Sequence, residues 1–550
     1  TKIGIFQGEV RASARIGEKL NIAGTDTQTE KGNTGDNKYV ENNVGILAQS
    51  GQRGAVNGKE ITPTKDLGVS NQNKYVDKDK IHALYVNDID ITFGKYSKSG
   101  IMVASERGTQ VDVAVNDPSH HTEVIKDGKG DPISGEKDKA TIPIRTKAIL
   151  DYNKEHSTYN NDNKIISSAI DSQNEAAIGT IIAYAKGSWK DSDTRMRTNT
   201  ENGVRLGMSS ETQNAFKDAK SEINFGTDVK MSARYAKIGG KEYRPIAYAA
   251  LGGKITAKNT TAYGYGSVIA YATNENNSSG EISIAGNIEA KDEWAANDAN
   301  TNKEKYKNIG AFAKGAGTKV TVTGNATING LGAFADDKGR VSIQGTGSVL
   351  NSGNSTALAA LNGGHVTFGG GTINVGDNAK DDSTPFYADS SSHINFTGAT
   401  NLNISDGVLI PGTAADYEGT VGTSKKYNGM SNVTVNLTGD NVVLASNNGI
   451  HKVWDGTTIS NLVKNTMKVS AFNENGHSYK IYYINGTFVI DTNINVGNAT
   501  DDFNKVGLSR EVVTINAGKT VSSTVGKGLA MGSNNSANTD GNNSKTQFIN

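Results

Sequence analysis

The stretch Gly310–Gly345, GAFAKGAGTKVTVTGNATINGLGAFADDKGRVSIQG, decides the fold. The tetrad Gly-Ala-Phe-Ala stands at Gly310–Ala313 and again at Gly332–Ala335, a spacing of 332 − 310 = 22 residues. After each tetrad comes a polar turn ending in Gly, then an alternating apolar pair, then another Gly. The pair is Val320 and Val322 in the first copy, Val341 and Ile343 in the second. A unit this short cannot bury its apolar side alone, so it must stack on copies of itself as one coil of a solenoid. Repeat length and strand content together predict a parallel β-helix.

The same order extends in both directions when coils are aligned on the Ala that closes the tetrad. Upstream these are Ala48, Ala104, Ala185, Ala249 and Ala272; downstream, Ala360 and Ala388. Val111 with Val113, Ile282 with Ile284, Val366 with Phe368 and Ile394 with Phe396 supply the alternating pairs. A third short strand precedes the next coil at Ile328, Ile373–Val375 and Leu402–Ile404. Three strands per coil describe a triangular prism, so the expected fold is all-β: a right-handed parallel β-helix with inserted loops and small lobes. Five coils carry Ala-aromatic-Ala, centred on Tyr184, Tyr248, Tyr271, Phe312 and Phe334. At about 4.8 Å per coil these rings form a ladder. Alternation puts rings on one side and alanines on the other. Both are apolar, so periodicity leaves two orientations open: rings inward as core, or outward as a stripe for stacking a ligand.

Polar stretches interrupt the coils at 24–40, 57–80, 116–163, 187–222, 290–308, 376–384 and 411–428. They are expected as loops from coil corners, where binding groups concentrate. Organisation follows: residues 1–225 as β-helix with long insertions, 226–430 as regular shaft, 431–550 as a less regular continuation. Short helices are expected at Glu211–Lys220 and Thr457–Met467, and a hairpin at Lys480–Asp491 around Asn485-Gly486.

Gly is abundant at 64 and Pro scarce at 7, which suits many tight turns between strands that need every N–H. Lys plus Arg and Asp plus Glu are both 57, so net charge gives no general pull toward nucleic acid or anionic membrane. Cys is absent. A Cys-free repeat chain suits threading through an outer membrane and equally suits the cytosol. No run of about 18 apolar residues is present. The chain begins at Thr1 and ends within a strand-like segment, and reads as an excised piece of something longer.

Catalytic signatures are sparse. There is no Cys nucleophile, no G-x-S-x-G, no H-E-x-x-H and no EF-hand loop. No cofactor or metal is expected. His120-His121 is the one His pair, and adjacent residues of a strand point oppositely. Asp336-Asp337, Asp381-Asp382 and Asp501-Asp502 are carboxylate pairs of the type polysaccharide-cleaving β-helix enzymes use. His365 in Gly363-Gly364-His365 resembles a polygalacturonase motif, without its partners on neighbouring coils. Interface anchors are usually aromatic or Arg. Trp189 with Arg195 and Arg197, and Trp294, lie in insertions and are the candidate contact residues. For each, a ring or charge packing its own loop onto the shaft is the plainer alternative.

The repeated Gly-x-[Phe/Tyr]-Ala, polar turn, V-x-V and Gly-Asn pattern resembles passenger domains of type V autotransporters. The Asn/Lys-rich, Cys-free style is similar to the very large fusobacterial outer-membrane adhesins. That resemblance implies a non-enzymatic rod on the bacterial cell surface, exported through a C-terminal barrel. It also implies partners: a host receptor such as the immune receptor TIGIT, galactose or N-acetylgalactosamine glycans, or, in another member, other bacteria in coaggregation. The rival expectations are a polysaccharide-cleaving enzyme and a spacer that binds nothing.

Overall fold

The structure is a computed structural model. It describes residues 3–9, 14–23, 40–41, 44–52, 83–93, 97–108, 110–113, 147–150, 165–167, 177–188, 199–201, 204–206, 220–294, 308–353, 356–375, 385–408, 426–429, 432–443, 450–458, 461–468, 472–474, 477–481, 487–490, 494–495, 506–508, 512–515, 521–522, 530–531 and 545–548. These residues are almost all β, with no α-helix among them, and the fold is a parallel β-helix. Two units are distinguished: Thr1–Thr260 with Ala272–Ser283, and Thr261–Tyr271 with Ile284–Asn550.

In the first unit one sheet stacks Ile3–Glu9, Val44–Gln52, Ile101–Glu106, Ile181–Lys186 and Ile246–Leu251, all parallel. A second runs Ala14–Ala23, Ala83–Thr92, Lys147–Leu150, Gln110–Val113, Glu222–Phe225 and Lys254–Ala257, also parallel. Ile165–Ser167 and Asp228–Met231 pair on a third face. The alternating strands bury every second residue: Val111, Val113, Ile223, Phe225 and Ile255 are core. A small antiparallel hairpin, Ala236–Ile238 with Lys241–Tyr243, is one of the expected lobes.

The second unit repeats the plan. Its first sheet joins Asn308–Lys314, the end of Ala326–Asp336, Leu358–Ala360 and Phe386–Ala388. The second joins Lys319–Val322, Arg340–Ile343, His365–Phe368, His393–Phe396 and Tyr427–Asn428. The third starts with Ile288–Trp294 and the beginning of Ala326–Asp336. It continues through Ser348–Gly353, Gly371–Val375, Thr400–Val408, Val433–Val443, Thr487–Ile490, Val512–Ile515 and Lys545–Phe548. Val341, Val366 and Ile394 stack in one core column, Ile343, Phe368 and Phe396 in the next. Each such side chain contributes about 1.5–3 kcal/mol by leaving water.

Two features close the coils. The Gly that ends each polar turn is required sterically: a Cβ on Gly364 would overlap the carbonyl of Ala335 in the coil below. At the corner of the third sheet, Asn side chains bond from coil to coil. Asn351 Nδ2 donates to Asn329 Oδ1 (2.9 Å), Asn374 Nδ2 to Asn351 Oδ1 (2.7 Å) and Asn403 Nδ2 to Asn374 Oδ1 (2.9 Å).

Several local expectations are corrected. Thr457–Met467 is not a helix: Ile450–Thr458 and Asn461–Lys468 form an antiparallel hairpin, whose cross-strand pairing satisfies the backbone groups a helix would have paired internally. Lys480–Asp491 is not a hairpin either. His477–Ile481 pairs with Phe472–Glu474, while Thr487–Ile490 enters the long third sheet. The 116–163 stretch contains the shaft strand Lys147–Leu150, and the 187–222 stretch ends early because Ser221 and Glu222 are already shaft. In the expected helix Glu211–Lys220, only Lys220 is described, in a bridge to Ser188. The Ala alignment holds from Ala313 to Ala388 but slips at Ala104 and Ala249, which face Tyr184 rather than Ala185.

Candidate functional site

The ring ladder is where core and recognition compete, and register settles its direction. In the second unit Ala333 aligns with Leu358 and Leu358 with Phe386. Phe386 packs edge-on against Phe396 (5.2 Å) and Tyr427 (5.0 Å), both inward residues of the second sheet. Ala333 and its column therefore face the interior. Phe334, one residue on, faces out, as does Phe312, its register partner. Two residues further, Lys314 and Asp336 form an ion pair at 3.3 Å on the same outer face. A bulge permits this: the N–H groups of Gly332 and Ala333 both donate to the Ala357 carbonyl, so two successive residues turn inward.

The outward rings of Tyr271, Phe312 and Phe334 lie at 5.1 and 4.4 Å from their neighbours, the last pair stacked at 12°. They are nonetheless covered, Phe312 and Phe334 being 0 % exposed. The hairpin strand Ile450–Thr458, which lies outside the neighbouring coils, contacts Ala326–Asp336. Tyr248 behaves differently. Its register partner is Ala183, it points inward onto Phe225 (5.7 Å), and its hydroxyl shares a 2.7 Å hydrogen bond with Thr260.

Tyr184 is the ring left half-exposed on an outer face, in the first unit. Burial, then the carboxylates of Glu106 and Glu275, push its phenol above the ordinary value. Around it the turn between the first and second sheets gathers opposite charges. Lys186 lies 3.8 Å from Glu275. Lys220 lies 3.9 Å from Glu281 and donates to the Ser279 carbonyl at 2.6 Å. Ser221, fully buried, accepts from Gly108 N–H and donates to the Lys186 carbonyl, tying two successive coils together. Ser188 and Lys220 pair across the root of the 189–219 insertion. A tyrosine ringed by charges at the base of a long loop offers both an apolar face and hydrogen-bonding edges.

Trp189, Arg195 and Arg197 lie outside the described residues. Trp294 ends the strand Ile288–Trp294, and its side chain lies outside the described portion. Of the carboxylate pairs, Asp381-Asp382 and Asp501-Asp502 are outside the described residues, as is His120-His121. Asp336 bonds Asn362 Nδ2 (2.8 Å) besides Lys314, so it serves the turn. His365 has a partner on the next coil after all, but it is His393, 5.0 Å away, not an acid. No group of three metal-ligating side chains occurs among the described residues. The sequence reading named the insertion and missed its root, because Glu106, Lys186, Lys220 and Glu275 come together only through coil stacking. No family model, no characterised protein and no solved structure matches this chain.

Proposed function

We propose that the chain is the passenger of a bacterial surface adhesin, binding without turnover through loops held out from a β-helix. Under this reading it sits outside the cell, anchored by a barrel elsewhere in a longer protein. Its partners are a host receptor such as TIGIT, galactose-type glycans, or other bacteria. The supporting observation is that coils keep register across the interruptions. Ile101–Glu106 pairs directly with Ile181–Lys186, and Ile181–Lys186 with Ile246–Leu251, although 74 (180 − 107 + 1) and 59 (245 − 187 + 1) residues intervene. Part of the intervening chain is itself shaft, as at Gln110–Val113 and Lys147–Leu150, while the 189–219 insertion is closed at its root by the Ser188–Lys220 pair, so its loop can vary with the coils in register.

The test replaces 189–219 with a short Gly-Ser turn between Ser188 and Lys220, which already pair. The shaft keeps its circular dichroism, and binding falls for one of four probes: host cells, the TIGIT ectodomain, a galactose-type glycan surface, or a second bacterium. Equal binding by parent and variant to every probe removes this insertion as the adhesive element. Release of reducing sugar from a polysaccharide panel overturns the non-enzymatic reading.

A further inference from the structure

We propose that the outer face of the second sheet in the second unit is a binding track for a linear sulfated polysaccharide. The first strand position on that face carries a basic side chain, Lys, Arg or His, in every successive coil. Lys319 aligns with Arg340, Arg340 with His365, and His365 with His393. Lys426 takes the fifth place: it precedes Tyr427, the partner of Ile394, and its carbonyl accepts the Ile394 N–H at 2.7 Å. Lys319 and Arg340 are exposed, and His365, His393 and Lys426 are partly so. Five basic positions thus run single file up the stack, about 4.8 Å apart and about 19 Å end to end.

Nothing in strand formation asks for this. Like charges directly opposite one another on neighbouring strands are destabilising, yet Lys319 and Arg340 stand aligned and each further coil adds another basic residue. The two rings at its centre lie 5.0 Å apart. Burial, then His393 and Arg340, hold the His365 imidazole below its ordinary pKa, so the charges sense one another. The Lys338 stem lies over the neighbouring turn at Gly363. A ligand with regularly repeated anions along a line relieves that repulsion.

The adjoining outward column sets the chemical class. Two residues along each strand stand Thr321, Ser342, Thr367, Asn395 and Asn428, hydroxyls and amides in the same register. A track of cations beside a track of neutral donors and acceptors matches a chain that alternates sulfate or carboxylate with sugar hydroxyls. Single-stranded nucleic acid prefers aromatic platforms, and neither column contains Phe, Tyr or Trp. A duplex curves away from a straight single file, so few of its phosphates meet it.

The experiment measures binding of heparin, fully desulfated heparin and a short DNA duplex to the whole chain, across a salt series. Heparin binds best, desulfated heparin does not compete, and Arg340→Gln with His365→Gln weakens heparin roughly tenfold and flattens the salt dependence. Lys241→Gln, in the hairpin lobe of the first unit, leaves affinity unchanged. Affinity rises from about pH 7.5 to about pH 5.5 as the His365 imidazole charges, and His365→Gln removes the rise. In the unaltered chain, heparin shields Lys319 and Lys426 from acetylation, a readout that holds even if a variant misfolds. Unchanged affinity in a folded Arg340→Gln/His365→Gln chain, unshielded lysines, or tighter binding of the duplex overturns the proposal. The adhesin reading rests on the insertions and survives that result, just as loss of the insertion leaves heparin binding intact.

Discussion

Adjacent positions in one strand should respond oppositely to the same substitution, and this tests the direction of the ring ladder. Ala333→Lys places an ammonium on the inward column with Leu358 and Phe386, where all neighbours are fully buried. A charge there has no path to water. Desolvation costs several kcal/mol, and overpacking adds about 1–3 kcal/mol. Phe334→Lys loses the ring's burial, about 1.5–3 kcal/mol, and its stacking on Phe312, about 0.5–1.5 kcal/mol. Its ammonium, however, can follow the outer face to where Lys314 already meets solvent. Hydrogen exchange read by mass spectrometry resolves the outcome locally, as a repeat fold requires. Phe334→Lys should deprotect the hairpin strands Ile450–Thr458 and Asn461–Lys468 and leave Arg340–Ile343 protected. Ala333→Lys should deprotect the coil strands themselves. If Phe334→Lys strips the coil as thoroughly as Ala333→Lys, the rings are core and the orientation argued here is wrong.

Other substitutions probe the closures. Asn374→Ala removes two side-chain bonds at once and strands Asn351 Oδ1 and Asn403 Nδ2, costing about 2 kcal/mol in urea unfolding followed on the third sheet. Gly364→Ala forces the turn off the Ala335 carbonyl at a cost on the order of 1–3 kcal/mol, seen as a lower local unfolding midpoint. Burial pushes the Asp389 carboxyl up, but bonds from Asn362 N–H, Ser392 and Ser391 outweigh it and hold the carboxyl below 3.8. Its stabilising contribution is complete above that pH and is lost as pH falls through the depressed value. Asp389→Asn is therefore less stable than the parent at neutral pH, and the two converge in acid.

The fold was legible because its cause is local. A V-x-V pair between two glycines states its alternation in four residues, and the 22-residue return of Gly-Ala-Phe-Ala states that the unit stacks. The ring direction was not legible, since Ala and Phe are both apolar and both end fully buried. It depends on the bulge at Gly332-Ala333, a hydrogen-bonding event between coils that leaves only a small residue as its trace. The slip at Ala104 and Ala249 has a different origin: in Val103-Ala104-Ser105 and Tyr248-Ala249-Ala250 it is the third residue, Ser105 or Ala250, that aligns with Ala185. The hairpins failed for a related reason. Asn485-Gly486 carries a strong turn signal, but a strand after it can pair with the coil below instead of with the strand before it, and here it does.

Function in such a fold is written across coils, not along the chain. The steps between successive members of the cationic column are 21 (340 − 319), 25 (365 − 340), 28 (393 − 365) and 33 (426 − 393) residues. No fixed period links them, because turns and corner loops between coils vary in length while the strand register does not. The same holds for Glu106, Lys186, Lys220 and Glu275 around Tyr184, which span 169 (275 − 106) positions. A solenoid can therefore lengthen its loops freely and still keep a charge on one straight line. Composition records only the balanced total of 57 cations and 57 anions, and sorting by register is what separates a neutral chain from a one-signed track on a single face.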